Sequence, residues 1–280
     1  MQGAAAYRLS GNRLHLQHGP IDLILKAEGR DAAMIDRVYA GAERRFRPLL
    51  RELVAELTDL RRPGVEERAF SGMVAQRMQR AIRPHLPGFV TPMAAVAGAV
   101  ADEILAAARA EAPELRIWAN NGGDIAFARP DGAPFRSAIP GIGVFETTTG
   151  LRQAGLSSSG WRGRSHSLGI ADCVTVLAPT AAAADVAATL IANAVDLPGH
   201  AAIGRRPAAE LAPDSDLGMR LVTVSVGALT PEECSRALDA GQGVAKHMQS
   251  RGLIHGALLA LGAGLRMVGE GQMIEAPVGV

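Results

Sequence analysis

A chain of 280 residues, 48% apolar and 20% charged, can bury a core that needs neither metal nor disulfide to fold. Its 29 Lys+Arg nearly balance 28 Asp+Glu, and without a block of like charge the chain lacks the electrostatics of a nucleic-acid tail. Cys173 and Cys234 form neither a disulfide framework nor a zinc pattern, and no stretch reads as a signal peptide or membrane span, so a cytoplasmic protein is expected.

In chain order, Ala5 to Ala27 alternates like strands broken by turns at Gly11-Asn12 and Gly19-Pro20, which predicts an antiparallel meander. Apolar residues from Ile35 to Leu57 recur at helical spacing and predict one long helix over about 32–60, closed by Arg62-Pro63-Gly64. Arg44, Arg45 and Arg47 on it read as a solvated face. A shorter helix is expected over 70–82, and an Ala- and Val-rich one over 93–110, whose small side chains and Gly98 would let a neighbour approach closely.

Strands are expected at 115–119 and 125–128, flanking Asn120-Asn121-Gly122-Gly123-Asp124, with a short strand near 142–145. The Ser-, Gly- and Arg-rich stretch 155–169 reads as the most loop-like part of the middle of the chain. Cys173 to Leu177 is a buried strand by its Val-Thr-Val run, and Thr180 is a fitting N-cap for a helix over 181–194. Strand 221–226 precedes Thr230-Pro231-Glu232-Glu233, a capping box with proline at the first helical position. The apolar, glycine-interrupted tail 253–268 reads as closing strands. No repeat or linker divides the chain, so residues 1–280 are expected to form a single domain or two closely packed lobes.

Three polar segments interrupt the Ala-rich scaffold. In the first, the paired glycines Gly122 and Gly123 would let backbone N–H groups approach a ligand, with Asn121 and Asp124 beside them; a plain hairpin turn has the same spelling. The second, Ser157 to Gly160 followed by Arg162, Arg164, Ser165, His166 and Ser167, suits an anionic, phosphate-bearing ligand, as its composition also suits a flexible surface loop. In the third, Asp185 and Thr189 lie four residues apart on one helix face, and their oxygens suit Mg²⁺; the alternative is an acid placed to favour the helix dipole.

These segments fall in the order seen in the ApbE family of magnesium-dependent FAD:protein FMN transferases, which the chain resembles most closely over residues 92–195. Asn120 to Asp124 resembles the family's Asn-x-Gly-Gly-Asn/Asp turn, Ser157 to Gly160 its Ala-Thr-Ser-Gly loop, and Ser165-His166 its Ser-His pair. Val174-Thr175-Val176 and Ala184 to Thr189 resemble its Val-Thr-Val strand and Ala-Asp-Ala-x-Ala-Thr helix, and Val96 to Asp102 its small-residue helix. The resemblance implies an α+β fold of antiparallel sheets packed with helices, with Asp185 and Thr189 as side-chain Mg²⁺ ligands. It further implies that Asn121, Gly122, Gly123, Asp124, Ser158, Ser159, Gly160 and His166 hold FAD or FMN.

The sequence departs from the family at Ala97, where the family has lysine, and at Ser165 to Gly169, which lacks the family's aspartate and later arginine. It is closer to an uncharacterised cytoplasmic ApbE-like branch with a Ser-Ser-Gly loop and a His-Ser-Leu stretch. The implied chemistry is Mg²⁺-dependent FMN transfer to an acceptor protein or FAD pyrophosphate cleavage; the rival is a noncatalytic flavin carrier or maturation protein. No membrane or nucleic-acid partner is expected, and a homo-oligomer joined through the apolar tail fits the pattern. The sequence by itself marks no catalytic residue.

Overall fold

Alternating burial organises the first thirty residues of the computed structural model, which describes residues 3–65, 68–139, 141–148 and 150–274. Strands β1 (Ala5–Leu9), β2 (Arg13–His18) and β3 (Ile21–Glu28) form the expected meander. Leu14, Leu16, Leu23 and Leu25 are buried on one face. Asp31 caps α1 (Ala32–Ala55) by accepting from the amides of Ala33 and Met34.

The single long helix expected over 32–60 is broken at Glu56, after which α2 (Leu57–Leu60) follows. There is a physical reason nearby. The Glu56 carboxylate accepts from the amides of Ser71 and Gly72, just ahead of α3 (Met73–Ile82), whose N-cap glycine has no side chain to offer. A 3₁₀ turn at Pro92–Ala95 leads into α4 (Val96–Glu111).

Strands β4 (Arg116–Asn121) and β5 (Asp124–Ala128) form a hairpin through Gly122 and Gly123, both at positive φ. Short strands β6 (Arg136–Ile139) and β7 (Gly143–Glu146) follow, the first of which the sequence reading did not anticipate. Then come β8 (Gln153–Ser159), β9 (Cys173–Ala178) and α5 (Ala181–Ala194), with the Thr180 cap in place. The chain continues through β10 (Ile203–Pro207), α6 (Ala208–Leu211), β11 (Leu221–Val226) and α7 (Pro231–Ser250), which has the complete capping box. It closes with β12 (Gly256–Leu261), β13 (Gly264–Gly269) and β14 (Gln272–Ile274).

The main sheet has nine strands in the order β1-β2-β3-β4-β5-β8-β9-β12-β13, paired antiparallel throughout. Helices α1, α3, α4, α5 and α7 bury one face of it in two adjoining apolar clusters. The three-stranded sheet β14-β7-β6 lies against part of the opposite face, around Ile125, Phe127, Phe145 and Leu156. The molecule is therefore α+β, as the sequence indicated.

One expectation is corrected in the middle of this sheet. Residues 155–159 are not loop: they belong to β8, between β5 and β9. Small side chains are needed there because α5 presses its first turn onto the strand. A Cβ on Gly155 would lie 2.1 Å from the Ala181 nitrogen, and Ser157, fully buried, donates to the Ala181 carbonyl. The polarity that mimics a loop is satisfied inside the sheet. Of the apolar tail, β12 is buried along its whole length, while the edge strand β13 exposes Leu265 and Met267.

Candidate functional site

The first turns of α4 and α5 lie side by side, close enough that a Cβ on Gly98 would meet the Ala181 carbonyl oxygen at 2.2 Å. Two helix N-termini brought together concentrate partial positive charge and leave amides without intrahelical partners. Each helix answers for the other. Asp102 of α4 accepts from the Ala181 and Ala182 amides of α5, at 3.0 and 2.9 Å. Asp185 of α5 accepts from the Gly98 amide of α4 at 3.0 Å, where the N-cap, Ala95, has no side-chain oxygen.

The charge of Asp124, at the start of β5, acts on Asp185. Strand alternation puts Asn121, Asp124 and Ser157 on the helix-covered face. Asn121 donates to the Ala97 carbonyl at 3.1 Å, tying the hairpin to the start of α4. Asp124 interacts with Ser157 and Arg164, while its Oδ1 is buried with no hydrogen-bond partner. Arg164 reaches over the turn: a Cβ on Gly122 would fall 2.1 Å from its Nη2.

Burial pushes the Asp124 carboxyl up to about 6, against the lowering pull of Ser157 and Arg164. Asp185 is held well above the ordinary carboxylate range, first by burial and then by the nearby Asp124 charge. Asp102 is raised by burial despite its two amide donors. Asp124 and Asp185 thus repel each other as a pair that is costly to ionise fully without a nearby proton or cation.

The sequence-marked residues divide into two groups. Asn121, Gly122, Asp124 and Asp185 come together at the crossing of β5, α4 and α5. Gly123 adjoins them, but its amide is already donated to Asn120 at 2.8 Å, so it is not a free ligand donor. Thr189 sits one turn along α5 from Asp185, half-buried. Ser158 points to the other face of the sheet, where it hydrogen-bonds Thr175 at 2.7 Å. Ser159 follows at the strand end, and Gly160 is packed so tightly that a Cβ would lie 2.4 Å from the Asp172 carbonyl oxygen. His166 is exposed. Asp102, Ser157 and Arg164 complete the cluster; Asp102 stands beside Glu103 in α4, so its type and spacing gave no signal that set it apart in the sequence.

Among the described residues no group of three or more His, Cys, Asp or Glu side chains is placed to hold a metal. A cation at this cluster would rest on the two carboxylates, helped by hydroxyl, carbonyl or water oxygens. That is a hard-oxygen donor set, and the partnerless Asp124 Oδ1 fits it. Two clefts, of about 590 and 390 Å³, are lined by none of Asp124, Ser158, His166, Asp185 or Thr189, and the smaller one touches the cluster through Asp102. The smaller one adjoins the start of α5, beside His85, whose imidazole is driven down to about 4 by burial and the nearby Arg251 charge. No helix is long and apolar enough to cross a membrane among the described residues.

Comparison with known proteins places these features in a family. The chain is 40% identical over 129 residues to the UPF0280 protein MK0206 of Methanopyrus kandleri, a match covering 43% of this chain. The aligned part spans about half of that relative, 48% of its length. The solved ApbE protein of Thermotoga maritima superposes with a TM-score of 0.39 at 12% identity, over 86% of this chain and 77% of that one. The family described as AbpE bacteria matches residues 5–273, nearly the entire chain. This protein belongs to that family and is an ApbE-like protein.

Proposed function

We propose that the Asp124–Asp185 cluster is a Mg²⁺ site serving a flavin nucleotide, and that the protein cleaves FAD at its diphosphate, passing FMN to an acceptor hydroxyl or to water. One observation carries this reading: two half-buried carboxylates whose charges repel lie by the paired N-termini of α4 and α5, and one of their oxygens is buried without a partner. Membership of an ApbE-like family supports the flavin chemistry.

In this reading Asp185 and Asp124 hold the cation, with the Thr189 hydroxyl one helical turn away. When bound, Mg²⁺ would neutralise diphosphate charge and polarise the phosphoryl group being transferred. Arg164, over Gly122, stands ready to contact a phosphate oxygen. The acceptor oxygen forms a new bond to the FMN phosphorus as the bond to the bridging oxygen breaks, AMP leaves, and the acceptor proton passes to solvent. The fold supplies position more than chemistry here, through the rigid β4–β5 hairpin and the fixed crossing of α4 and α5.

The test is incubation of the purified protein with FAD and Mg²⁺, with and without EDTA, following AMP by chromatography. Magnesium-dependent AMP release is expected, and its loss in Asp185→Asn. Release that persists in EDTA, or that is equal in Asp185→Asn, would sink the assignment. A second reading, a noncatalytic flavin carrier, is favoured by Ala97 at the family's lysine position and by Ser158 lying on the far face of the sheet. Its mark would be tight flavin binding with no AMP.

A further inference from the structure

The larger cleft, of about 590 Å³, is within the ~300–1,000 Å³ range of small-molecule sites. It opens on the sheet face away from α4 and α5, among Trp118, Asn120, Ile125 and Phe135. Residues 125, 127 and 129 alternate onto that same face. Arg129 forms part of the wall and is only 5% exposed. A buried guanidinium in a protein ordinarily has a carboxylate partner.

Among the described residues no carboxylate lies within ion-pair distance of Arg129; the Asp131 charge acts on it from farther away and is itself paired with Arg116. Its Nη2 donates to the Thr147 hydroxyl at 3.2 Å and to the Leu151 carbonyl at 3.1 Å. The guanidinium carbon lies 4.9 Å from the Phe127 ring centroid and 5.8 Å from that of Phe135, rings that stack on one another at 4.4 Å. These contacts fix the side chain, yet Nε and Nη1 are both buried without an acceptor. Burial also draws its pKa below the ordinary arginine value.

The other charges lining the cleft already have partners. Arg116 is paired with Asp131, Arg136 with Glu146, which Gln272 also contacts, and Glu28 lies 3.5 Å from the Lys26 ammonium. Arg129 is therefore the cleft's cation without an ion-pair partner, with Nε and Nη1 each left to donate a charge-assisted hydrogen bond to an anionic oxygen. Trp118, half-buried at the same wall, offers a flat apolar surface.

We propose that this cleft is a ligand site, separate from the Asp124–Asp185 cluster, for a small molecule that sets a carboxylate or phosphate on Arg129 and a planar ring beside Trp118. The site does not depend on the flavin reading. A Trp161→Phe background leaves Trp118 as the sole tryptophan and its fluorescence as a local reporter. The probes are AMP for phosphate, benzoate for carboxylate, and uncharged adenosine.

Saturable quenching by AMP or benzoate is expected, with a response to adenosine at least tenfold weaker, and whichever anion quenches identifies the head group. Arg129→Met, shown to be folded by circular dichroism, is expected to bind about tenfold or more weakly, as loss of charge-assisted hydrogen bonds implies. Asp185→Asn should respond as the parent does; loss of the response there would move binding to the other cluster and overturn the proposal. So would no saturable response to either anion, equal binding of adenosine, or unchanged affinity in folded Arg129→Met. Should Arg129→Met not fold, calorimetry with the same anion on Trp118→Ala replaces it: lost binding is expected, and unchanged affinity contradicts the site.

Discussion

At the scale of single residues, the crossing of α4 and α5 has no slack. Gly98→Ala would press a methyl group into the Ala181 backbone, and because backbone cannot swing aside as a side chain can, a loss of about 2–3 kcal/mol in urea unfolding is expected. Asp102→Ala should cost about 1–2 kcal/mol by removing both amide caps of α5. The Asp124 charge has its own signature. Its folded pKa, about 6, exceeds the ordinary 3.8, so the folded state holds the proton longer, and stability falls as pH rises from about 4 through about 6. Without metal, Asp124→Asn should therefore gain in melting temperature relative to the parent across that window; a constant difference would show that Asp124 is not strained. That Asp185 and Thr189 share one face of a helix was legible from their spacing of four in an Ala-rich segment. The partnership of Asp185 with Gly98 was not, because contacts between residues 87 positions apart leave no local pattern.

Among the elements, helices were legible wherever their ends were spelled out. Thr180 and the Thr230 capping box fixed the starts of α5 and α7, since cap chemistry is local. Strand β8 escaped because its serines satisfy their hydroxyls through α5 and β9, partners that composition does not reveal. Arg45 escaped similarly. Far from being simply solvated, it bridges α1 to α4 through Glu103, at 2.7 Å, while Arg77 of α3 holds the other oxygen at 2.8 Å. Burial works to raise the Glu103 pKa, but the two arginines hold it below the ordinary value. Its contribution is present above the unfolded carboxylate's pKa of 4.5 and is lost as pH falls through the lower folded value. Glu103→Gln is expected to cost about 2–4 kcal/mol near neutral pH, discounted for the partly exposed arginines, with the cost shrinking in acid; a pH-independent cost would mean that the carboxylate matters only for packing.

For the molecule as a whole, the nine-stranded sheet is the frame that holds the candidate cluster and the arginine cleft on opposite faces. Its central strands β5, β8 and β9 are covered by α4 and α5, while β1 and β13 lie at the edges. Hydrogen exchange should accordingly be slowest in β8 and β9 and faster in β1; the reverse order would contradict the packing. Periodicity made individual helices and strands visible and the family resemblance implied the α+β class, whereas strand order and the meeting of two helix N-termini arise only from long-range packing. The most direct test of the cation site is calorimetric titration of Mg²⁺ into metal-free protein near neutral pH, comparing the parent with Asp124→Asn and Asp185→Asn. A single site that is lost or much weakened in either variant is expected, since each variant removes one of the two carboxylates proposed to hold the ion. Equal binding in all three proteins, or none in the parent, would contradict a metal site between Asp124 and Asp185.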